Sequence, residues 1–229
     1  MSSSGASGMG RGFYRSGHGD PCDACNNPRR MTPRRIAVFT VIAALAAASG
    51  YFFGQWLARS ARVELQAFTR LPEPRALPAV TLDLGDGRAT LATPDGRWTL
   101  LFFGFTHCPD VCPTTLALLA RSVAMLPVAQ RPRVLFLSVD PERDAQPKAA
   151  EFARWFAPEF VGATTVELPA LAAALGAPYG RSPTADGYTM DHSGALFLLD
   201  PQGRFAAVAT GPHDAAMLAT DLAALAGAR

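Results

Sequence analysis

The stretch Thr99-Leu-Leu-Phe-Phe-Gly-Phe-Thr-His-Cys-Pro-Asp-Val-Cys-Pro-Thr-Thr-Leu116 decides how this chain folds, because an apolar run breaks into a polar turn with two cysteines and then resumes with helical character. Residues 100–105 are short and apolar, which is typical of a strand buried on both faces of a sheet. Pro113 fits only the first turn of a helix, and Asp110 is a candidate N-cap. The sequence therefore predicts a buried strand, a turn and a helix that starts near the second cysteine.

The two cysteines of this turn, Cys108 and Cys112, are four positions apart, so their sulfur atoms can face one point in space. A helix N-terminus stabilises negative charge, and we therefore expect both thiols to ionise easily. The other two cysteines, Cys22 and Cys25, form a second close pair. This distribution is unlike the disulfide framework of a small secreted domain and favours two local sites.

Composition indicates one folded domain behind an unusual N-terminus. With 229 residues, 49% of them hydrophobic, the chain can bury one good-sized core, and its net charge of +2 points to no nucleic-acid partner. Residues 1–35 are rich in Gly, Ser, Pro and Arg, which predicts a disordered tail. Within it, His18, Cys22 and Cys25 are a weak candidate metal site, and an incidental pair of cysteines is the simpler interpretation.

Residues 36–57 contain no charged side chain and are long enough for a helix to cross the ~30 Å hydrocarbon core of a bilayer. Arginines are more frequent just before this segment than after it, which predicts that the tail is cytoplasmic and the remainder exported. The sequence thus predicts a single-pass protein of the bacterial inner membrane with its C-terminal domain in the periplasm. A cleaved signal peptide is the alternative, because Ala58-Arg-Ser60 has suitably spaced small residues, but the apolar run is longer than a usual signal core.

The rest of the chain alternates strands with helices. Residues 58–78 mix arginine, glutamate and proline, which predicts a semi-extended linker before a domain at 79–229. Residues 176–187 are predicted as a loop, 195–209 as an antiparallel hairpin and 215–225 as a closing helix. This order predicts an α/β protein with a thioredoxin-like fold, a central mixed sheet flanked by helices, preceded by one N-terminal transmembrane helix. The cysteine turn then follows a central strand, where open α/β sheets carry their sites.

Three sequence blocks give the chain a resemblance to a known family. They are Phe103-Gly-Phe-Thr-His-Cys-Pro-Asp-Val-Cys-Pro113, Ser138-Val-Asp-Pro-Glu-Arg-Asp144 and Tyr188-Thr-Met-Asp-His-Ser193. With these blocks in this order, residues 79–226 resemble the SCO/SenC family, membrane-tethered thioredoxin-fold proteins of cytochrome c oxidase assembly. The resemblance implies that copper is bound by Cys108, Cys112 and His192. It also implies delivery of this copper to the binuclear copper centre of oxidase subunit two.

The donor atoms agree with this implication. Two thiolates and one imidazole suit Cu(I), with Cu(II) left open, whereas structural zinc wants four protein ligands. A hydrogen-bonded structural role is the alternative for His192. His107 is a weaker candidate, because its side chain should point away from that of its neighbour Cys108 on an extended backbone. Asp140 is predicted either to approach the site from behind the ligands, where it could orient a ligand or interact with Cu(II), or simply to form the turn before Pro141.

Three functions are compatible with these residues. The first is a copper metallochaperone for oxidase subunit two, with another periplasmic copper chaperone or thiol reductant as a further partner. The second is an enzyme, a periplasmic thiol-disulfide oxidoreductase in which Cys108 and Cys112 form a redox-active disulfide. The third is a redox or copper sensor that a partner reads. The three-residue spacer between the cysteines and the presence of His192 favour the metallochaperone over the enzyme.

Overall fold

The computed structural model describes residues 32–60, 64–85, 87–91, 96–145 and 147–227. The chain divides into two compact units, one ending at Ala58 and the other beginning at Arg59. In the first, helix α1 spans Pro33–Ser60, and its stretch Pro33–Gln55 has 23 residues and a mean hydropathy of 2.1. This stretch is long and apolar enough to cross a membrane, as predicted. The tail residues His18, Cys22 and Cys25 lie outside the described residues.

The second unit alternates strands and helices. Its strands are β1 (Thr69–Arg75), β2 (Thr81–Asp83), β3 (Arg88–Thr90), β4 (Thr99–Gly104), β5 (Arg133–Ser138), β6 (Val161–Ala163), β7 (Tyr179–Thr184), β8 (Gly187–His192), β9 (Leu196–Leu199) and β10 (Phe205–Ala209). Its helices are α2 (Val111–Ala124), α3 (Lys148–Phe156), α4 (Leu168–Leu175) and α5 (Ala215–Gly227), with a short 3-10 turn at Val128–Gln130.

A six-stranded mixed sheet forms the centre of this unit, in the order β1-β10-β9-β4-β5-β6. Strand β4 pairs parallel with β5 and antiparallel with β9, and β5 pairs parallel with β6. All side chains of β4 are buried, as its continuous apolar run predicts. The predicted α/β architecture with a central mixed sheet is confirmed, and the cysteine turn follows the carboxyl end of a central strand.

The segment predicted as a linker, residues 58–78, differs from the prediction. Strand β1 lies within it and pairs with β10 at the edge of the main sheet. Phe68 is buried in the core, and the buried Asp221 carboxylate on α5 accepts the backbone N–H groups of residues 66–68 at 2.8 to 3.0 Å. The folded unit therefore begins before the predicted start at residue 79. The prolines of β1 indicated a linker, but an edge strand tolerates proline.

The predicted loop at residues 176–187 also differs, because most of it belongs to a second hairpin. Strands β7 and β8 pair antiparallel along their full length, from Tyr179 opposite His192 to Thr184 opposite Gly187. They form a two-stranded sheet of their own. Gly187 has a φ of 135°, a conformation that favours glycine, at the turn between the strands. The Gly, Pro and Ser residues of this segment predicted a loop. Its extended conformation instead comes from the pairing of β7 with β8, which local composition does not reveal.

Candidate metal centre

The cysteine turn brings one sulfur into the core and leaves the other at the surface. Cys112 lies in the first turn of α2 and is completely buried, whereas Cys108 is partly exposed. Gly104, at the end of β4, makes room for the buried sulfur, because a Cβ at this position would lie 3.1 Å from Cys112 Sγ and 2.6 Å from the Phe136 ring. The cysteine pair is therefore packed directly over the end of the central strand.

The start of α2 is capped by sulfur and not by a carboxylate. Asp110 occupies the predicted N-cap position, but its side chain accepts no cap hydrogen bond and instead bonds the Thr114 hydroxyl at 3.2 Å. The Cys112 backbone N–H donates to Cys108 Sγ at 3.3 Å. The sulfur of Cys108 thus satisfies one of the amides that a helix N-terminus leaves unpaired.

His192 reaches the cysteines from the end of strand β8. Its Nε2 lies 3.5 Å from Cys112 Sγ, while its Nδ1 bonds the backbone carbonyl of Ser193 at 3.0 Å. Because a carbonyl only accepts, Nδ1 carries the proton and the lone pair of Nε2 faces the sulfur. The rings of Phe102 and Phe105 pack edge-on against the imidazole at 6.1 and 5.9 Å between centroids. The hydrogen bond to Ser193 and the two aromatic contacts together fix the plane of the imidazole ring.

The structure brings together the three residues that the resemblance implied as ligands. The sulfur atoms of Cys108 and Cys112 and a ring nitrogen of His192 all lie within 4.8 Å of one another. Within the described residues, this is the one group of three or more potential ligands close enough to hold a metal ion. Two soft sulfur donors and one imidazole match Cu(I) better than a structural zinc ion.

The protonation of the metal-free cluster differs from the prediction. Burial raises the pKa of the Cys112 thiol well above its ordinary value, and the neighbouring Cys108 raises it further. The expectation that both thiols ionise easily is therefore wrong for Cys112, because burial outweighs the helix N-terminus. Burial also lowers the pKa of His192, so its imidazole is neutral near pH 7. A bound metal ion must consequently displace the proton of Cys112.

His107 lies outside this group, as its position beside Cys108 predicts. Its side chain is about half exposed, and Nδ1 lies 3.1 Å from the Thr106 hydroxyl and 3.4 Å from Asp144 Oδ1. The ring thus faces the other side of the turn. The structure favours a contact with Asp144 over metal binding for this histidine.

Asp144 supports the cysteine turn and was missed by sequence reasoning. Its fully buried carboxylate accepts the Thr106 N–H at 2.7 Å, the Thr106 hydroxyl at 2.6 Å and the Ser138 hydroxyl at 2.7 Å. These bonds tie the residues before Cys108 to the end of β5. Its place as the last residue of the second sequence block was the only available signal.

Asp140 does not belong to the cluster of three candidate ligands. Its buried carboxylate pairs with Arg143 and accepts the Tyr188 hydroxyl at 3.0 Å, while its own N–H donates to Ser138 Oγ. Of the two predicted roles, turn formation is directly visible, because the backbone carbonyl of Asp140 also accepts the N–H groups of Arg143 and Asp144. Through Tyr188, Asp140 is bonded to strand β8, which also carries His192.

Comparisons with known proteins place this geometry in a family. A putative copper-binding protein of Stutzerimonas stutzeri is 36% identical over 151 residues, which cover 63% of this chain and 74% of the relative. The mitochondrial SCO2 homologue of Homo sapiens is 34% identical over 167 residues, covering 66% of this chain and 62% of the human protein. The crystal structure of Arabidopsis thaliana ScoI with copper bound superposes with a TM-score of 0.59 at 30% identity, over 65% of this chain and 96% of that one.

The family model gives the same result over a similar part of the chain. The SCO1/SenC model matches residues 81–227, a range that contains both cysteines of the turn and His192. The similarity to solved Sco structures confirms the predicted thioredoxin-like fold. Because the match covers well over half of the sequence, this chain belongs to the SCO1/SenC family.

Proposed function

We propose that this protein is a membrane-anchored copper metallochaperone that holds Cu(I) on Cys108, Cys112 and His192 and delivers it to the binuclear copper centre of cytochrome c oxidase subunit two. One observation carries the proposal, namely two cysteine sulfur atoms and one imidazole nitrogen within 4.8 Å of one another. The name of the Stutzerimonas relative and the copper in the Arabidopsis structure support the choice of metal.

The difference in burial between the two sulfurs suits transfer. A partner's thiolate can approach the metal beside the partly exposed Cys108. Cys112 and His192 would bind the metal from the protein side. Transfer proceeds by ligand exchange, in which an incoming sulfur binds Cu(I) as a protein ligand leaves. The copper stays Cu(I), so the step needs no electron donor. When the metal has left, Cys112 takes up a proton from water.

The location follows from helix α1 and from the charges around it. The apolar stretch Pro33–Gln55 suits a membrane anchor, and Arg34 and Arg35 stand at its N-terminal end. We place the tail in the cytoplasm and the copper-binding unit in the periplasm of a bacterium. A membrane anchor restricts the copper site to the compartment and the surface where an oxidase is assembled.

A second candidate function, thiol-disulfide exchange, is favoured by the same difference in burial. Cys108 is accessible to a substrate disulfide, and the buried Cys112 stands where a resolving thiol is needed. The N–H of Cys112 donates to the Cys108 sulfur and would stabilise its thiolate. Exchange requires these two sulfurs and no imidazole, which makes His192 the residue that separates the two functions.

The test is His192→Ala in the full chain, in a background where Cys22 and Cys25 are serine so that copper cannot bind the tail. Under anaerobic, reducing conditions the parent should bind one Cu(I). Loss of one of three ligands should weaken Cu(I) retention by at least about tenfold and impair assembly of the oxidase copper centre in cells, while disulfide exchange stays unchanged.

Two outcomes would contradict the metallochaperone. Normal oxidase assembly with unchanged disulfide exchange in His192→Ala would favour the oxidoreductase. Stoichiometric Cu(I) binding that survives Cys112→Ser would show that the metal is held elsewhere. The Thr114→Ala variant is a matched control, because it alters the same helical turn and removes only the hydroxyl contact with Asp110.

A further inference from the structure

The hairpin of β7 and β8 carries His192 but shares no strand pairing with the main sheet. One end of the hairpin is fixed, because residues 193–195 lead directly into β9 and the Ser193 N–H donates to the Pro178 carbonyl at 3.1 Å. The rest of the hairpin must be held by side-chain contacts. Met190 of β8 is buried in the core, and polar and ring contacts come from the turn that follows β5, residues 140–143.

The ring of Tyr188, on β8, contacts two guanidinium groups. Arg143, from the turn, stands 3.8 Å from the ring centroid, and Arg181, from the neighbouring strand β7, stands 4.6 Å from it. The Tyr188 hydroxyl donates to Asp140 Oδ1 at 3.0 Å. Both the ring and the hydroxyl of this tyrosine therefore bind groups on or next to the turn.

The backbone of the hairpin is held by the same arginine. Arg143 Nη1 donates to the Tyr188 carbonyl at 2.9 Å, while its Nε bonds the buried Asp140 carboxylate. On the other strand, Arg181 pairs with Glu142 at 2.6 Å, although both of these side chains are largely exposed and contribute less. We call the contacts among Asp140, Arg143 and Tyr188 the hairpin latch.

The latch is connected to the metal ligands through Phe105. The Arg143 guanidinium lies 5.9 Å from the centroid of the Phe105 ring, and the His192 imidazole packs edge-on against the same ring, also at 5.9 Å. Phe105 is buried and immediately precedes the cysteine turn. A shift of Arg143 or of the hairpin would therefore change the position of His192 relative to the two sulfurs.

We infer that Tyr188 and Arg143 are positioning residues, which hold His192 against the cysteine pair so that Cu(I) meets three ligands already in place. This inference rests on the proposed copper site. Cys108 and Cys112 are held by α2 and the turn before it, and none of the hydrogen bonds of the described residues joins either sulfur to a latch residue. The latch should therefore change only the part of the Cu(I) affinity that comes from the imidazole. Residues that orient a metal ligand raise the affinity of a site for its metal without binding the metal themselves.

A double-mutant cycle in the full chain tests this, with Cu(I) affinity measured by competition with a chelator. The background is again Cys22→Ser with Cys25→Ser. Tyr188→Ala should weaken Cu(I) binding by about tenfold to a hundredfold. In a His192→Ala background the same change should have less than about a twofold effect, because no imidazole remains to be positioned. Tyr188→Phe keeps the stacked ring and should lie between the parent and Tyr188→Ala.

A second readout needs no metal. In the metal-free protein, Tyr188→Ala should speed hydrogen exchange at the amides of β8 at least about tenfold, while the amides of β4 stay unchanged. Thr184→Ala is the matched control, because it lies at the exposed far end of the same hairpin and opposite Gly187. It should alter neither Cu(I) affinity nor exchange in β8.

Each other outcome has a distinct meaning. If Tyr188→Ala weakens copper binding equally with and without His192, or if it leaves binding unchanged, the latch does not position the imidazole. If Thr184→Ala weakens binding as much as Tyr188→Ala, any change in the hairpin suffices and the latch is again contradicted. If the parent itself binds no Cu(I), the proposed function fails, whatever hydrogen exchange reports about the hairpin.

Discussion

At the scale of single residues, Cys112 combines two opposing requirements. Complete burial favours its neutral thiol and raises its pKa, whereas a soft metal ion binds the thiolate. Metal and proton therefore compete for the same sulfur. Burial keeps this thiol protonated in the metal-free protein, and the competition makes the affinity for a metal ion depend on pH.

We predict that Cu(I) affinity rises with pH between about pH 6.5 and 8, by about one factor of ten per pH unit or more. The sign follows from the raised pKa of Cys112, because its thiol is protonated in the apo protein and each binding event releases that proton. The pH dependence is measured by chelator competition on the full chain without the tail cysteines. His192→Ala should keep the slope, because burial lowers the pKa of this imidazole and it has no proton to release. An affinity independent of pH would contradict the protonated thiol.

The candidate metal ligands could be predicted from sequence because their residue types and spacing are local signals. Cys108 and Cys112 stand one helical turn apart at a strand-to-helix junction, and His192 belongs to a recognisable block. The burial that shifts the pKa of Cys112 arises only when distant segments pack around it. Asp144 escaped prediction for a similar reason, since its bond to the Thr106 hydroxyl joins positions 38 residues apart.

At the scale of elements, helix α3 and strand β6 approach so closely that only glycine fits between them. A Cβ at Gly162 would lie 1.9 Å from the backbone carbonyl oxygen of Ala149. Backbone cannot move aside as a flexible side chain can. The contact therefore fixes the distance between α3 and the edge of the sheet, on the side of β5 away from β4.

We predict that Gly162→Ala lowers the free energy of unfolding by about 1–3 kcal/mol or more, because the added methyl group forces α3 away from β6. Urea unfolding of the full chain in detergent, followed by circular dichroism, measures the change. Gly180→Ala is the matched control, since a Cβ there meets no atom within 4 Å, and it should stay within about 0.5 kcal/mol of the parent. Equal stabilities of the two variants would contradict a tight α3–β6 contact.

The elements that sequence reasoning identified are those with a strong pattern of their own. Strand β4 is a continuous apolar run, and the hairpin of β9 and β10 has a turn with Asp, Pro and Gly between two apolar segments. Strands β1 and β7 contain proline, and most of their side chains are exposed or half-buried. Their pairing partners, β10 and β8, decide their conformation, and neither pairing is visible in local composition.

At the scale of the whole molecule, the two ends of the folded unit are bound to each other. The Asp221 carboxylate, buried on the last helix, accepts four hydrogen bonds from the backbone of residues 66–68. Strand β1 then continues this contact as the edge of the main sheet beside β10. Residues 64–75 are thus part of the fold and complete both the core and the sheet.

We therefore predict that a fragment of residues 64–229 is more stable than one of residues 79–229, by more than about 3 kcal/mol in the free energy of unfolding. The shorter fragment lacks β1 and the buried Phe68 side chain, and its Asp221 carboxylate loses the N–H groups that it binds. Urea unfolding of the two purified fragments measures the difference. Asp221→Leu should separate the effect of the unpaired carboxylate from the effect of losing β1 and Phe68. It should destabilise the longer fragment, in which the carboxylate is fully bonded, and should stabilise the shorter one, in which an apolar side chain replaces an unpaired charge. Equal stabilities of the two fragments, or the same effect of Asp221→Leu in both, would mean that residues 64–78 are a linker after all.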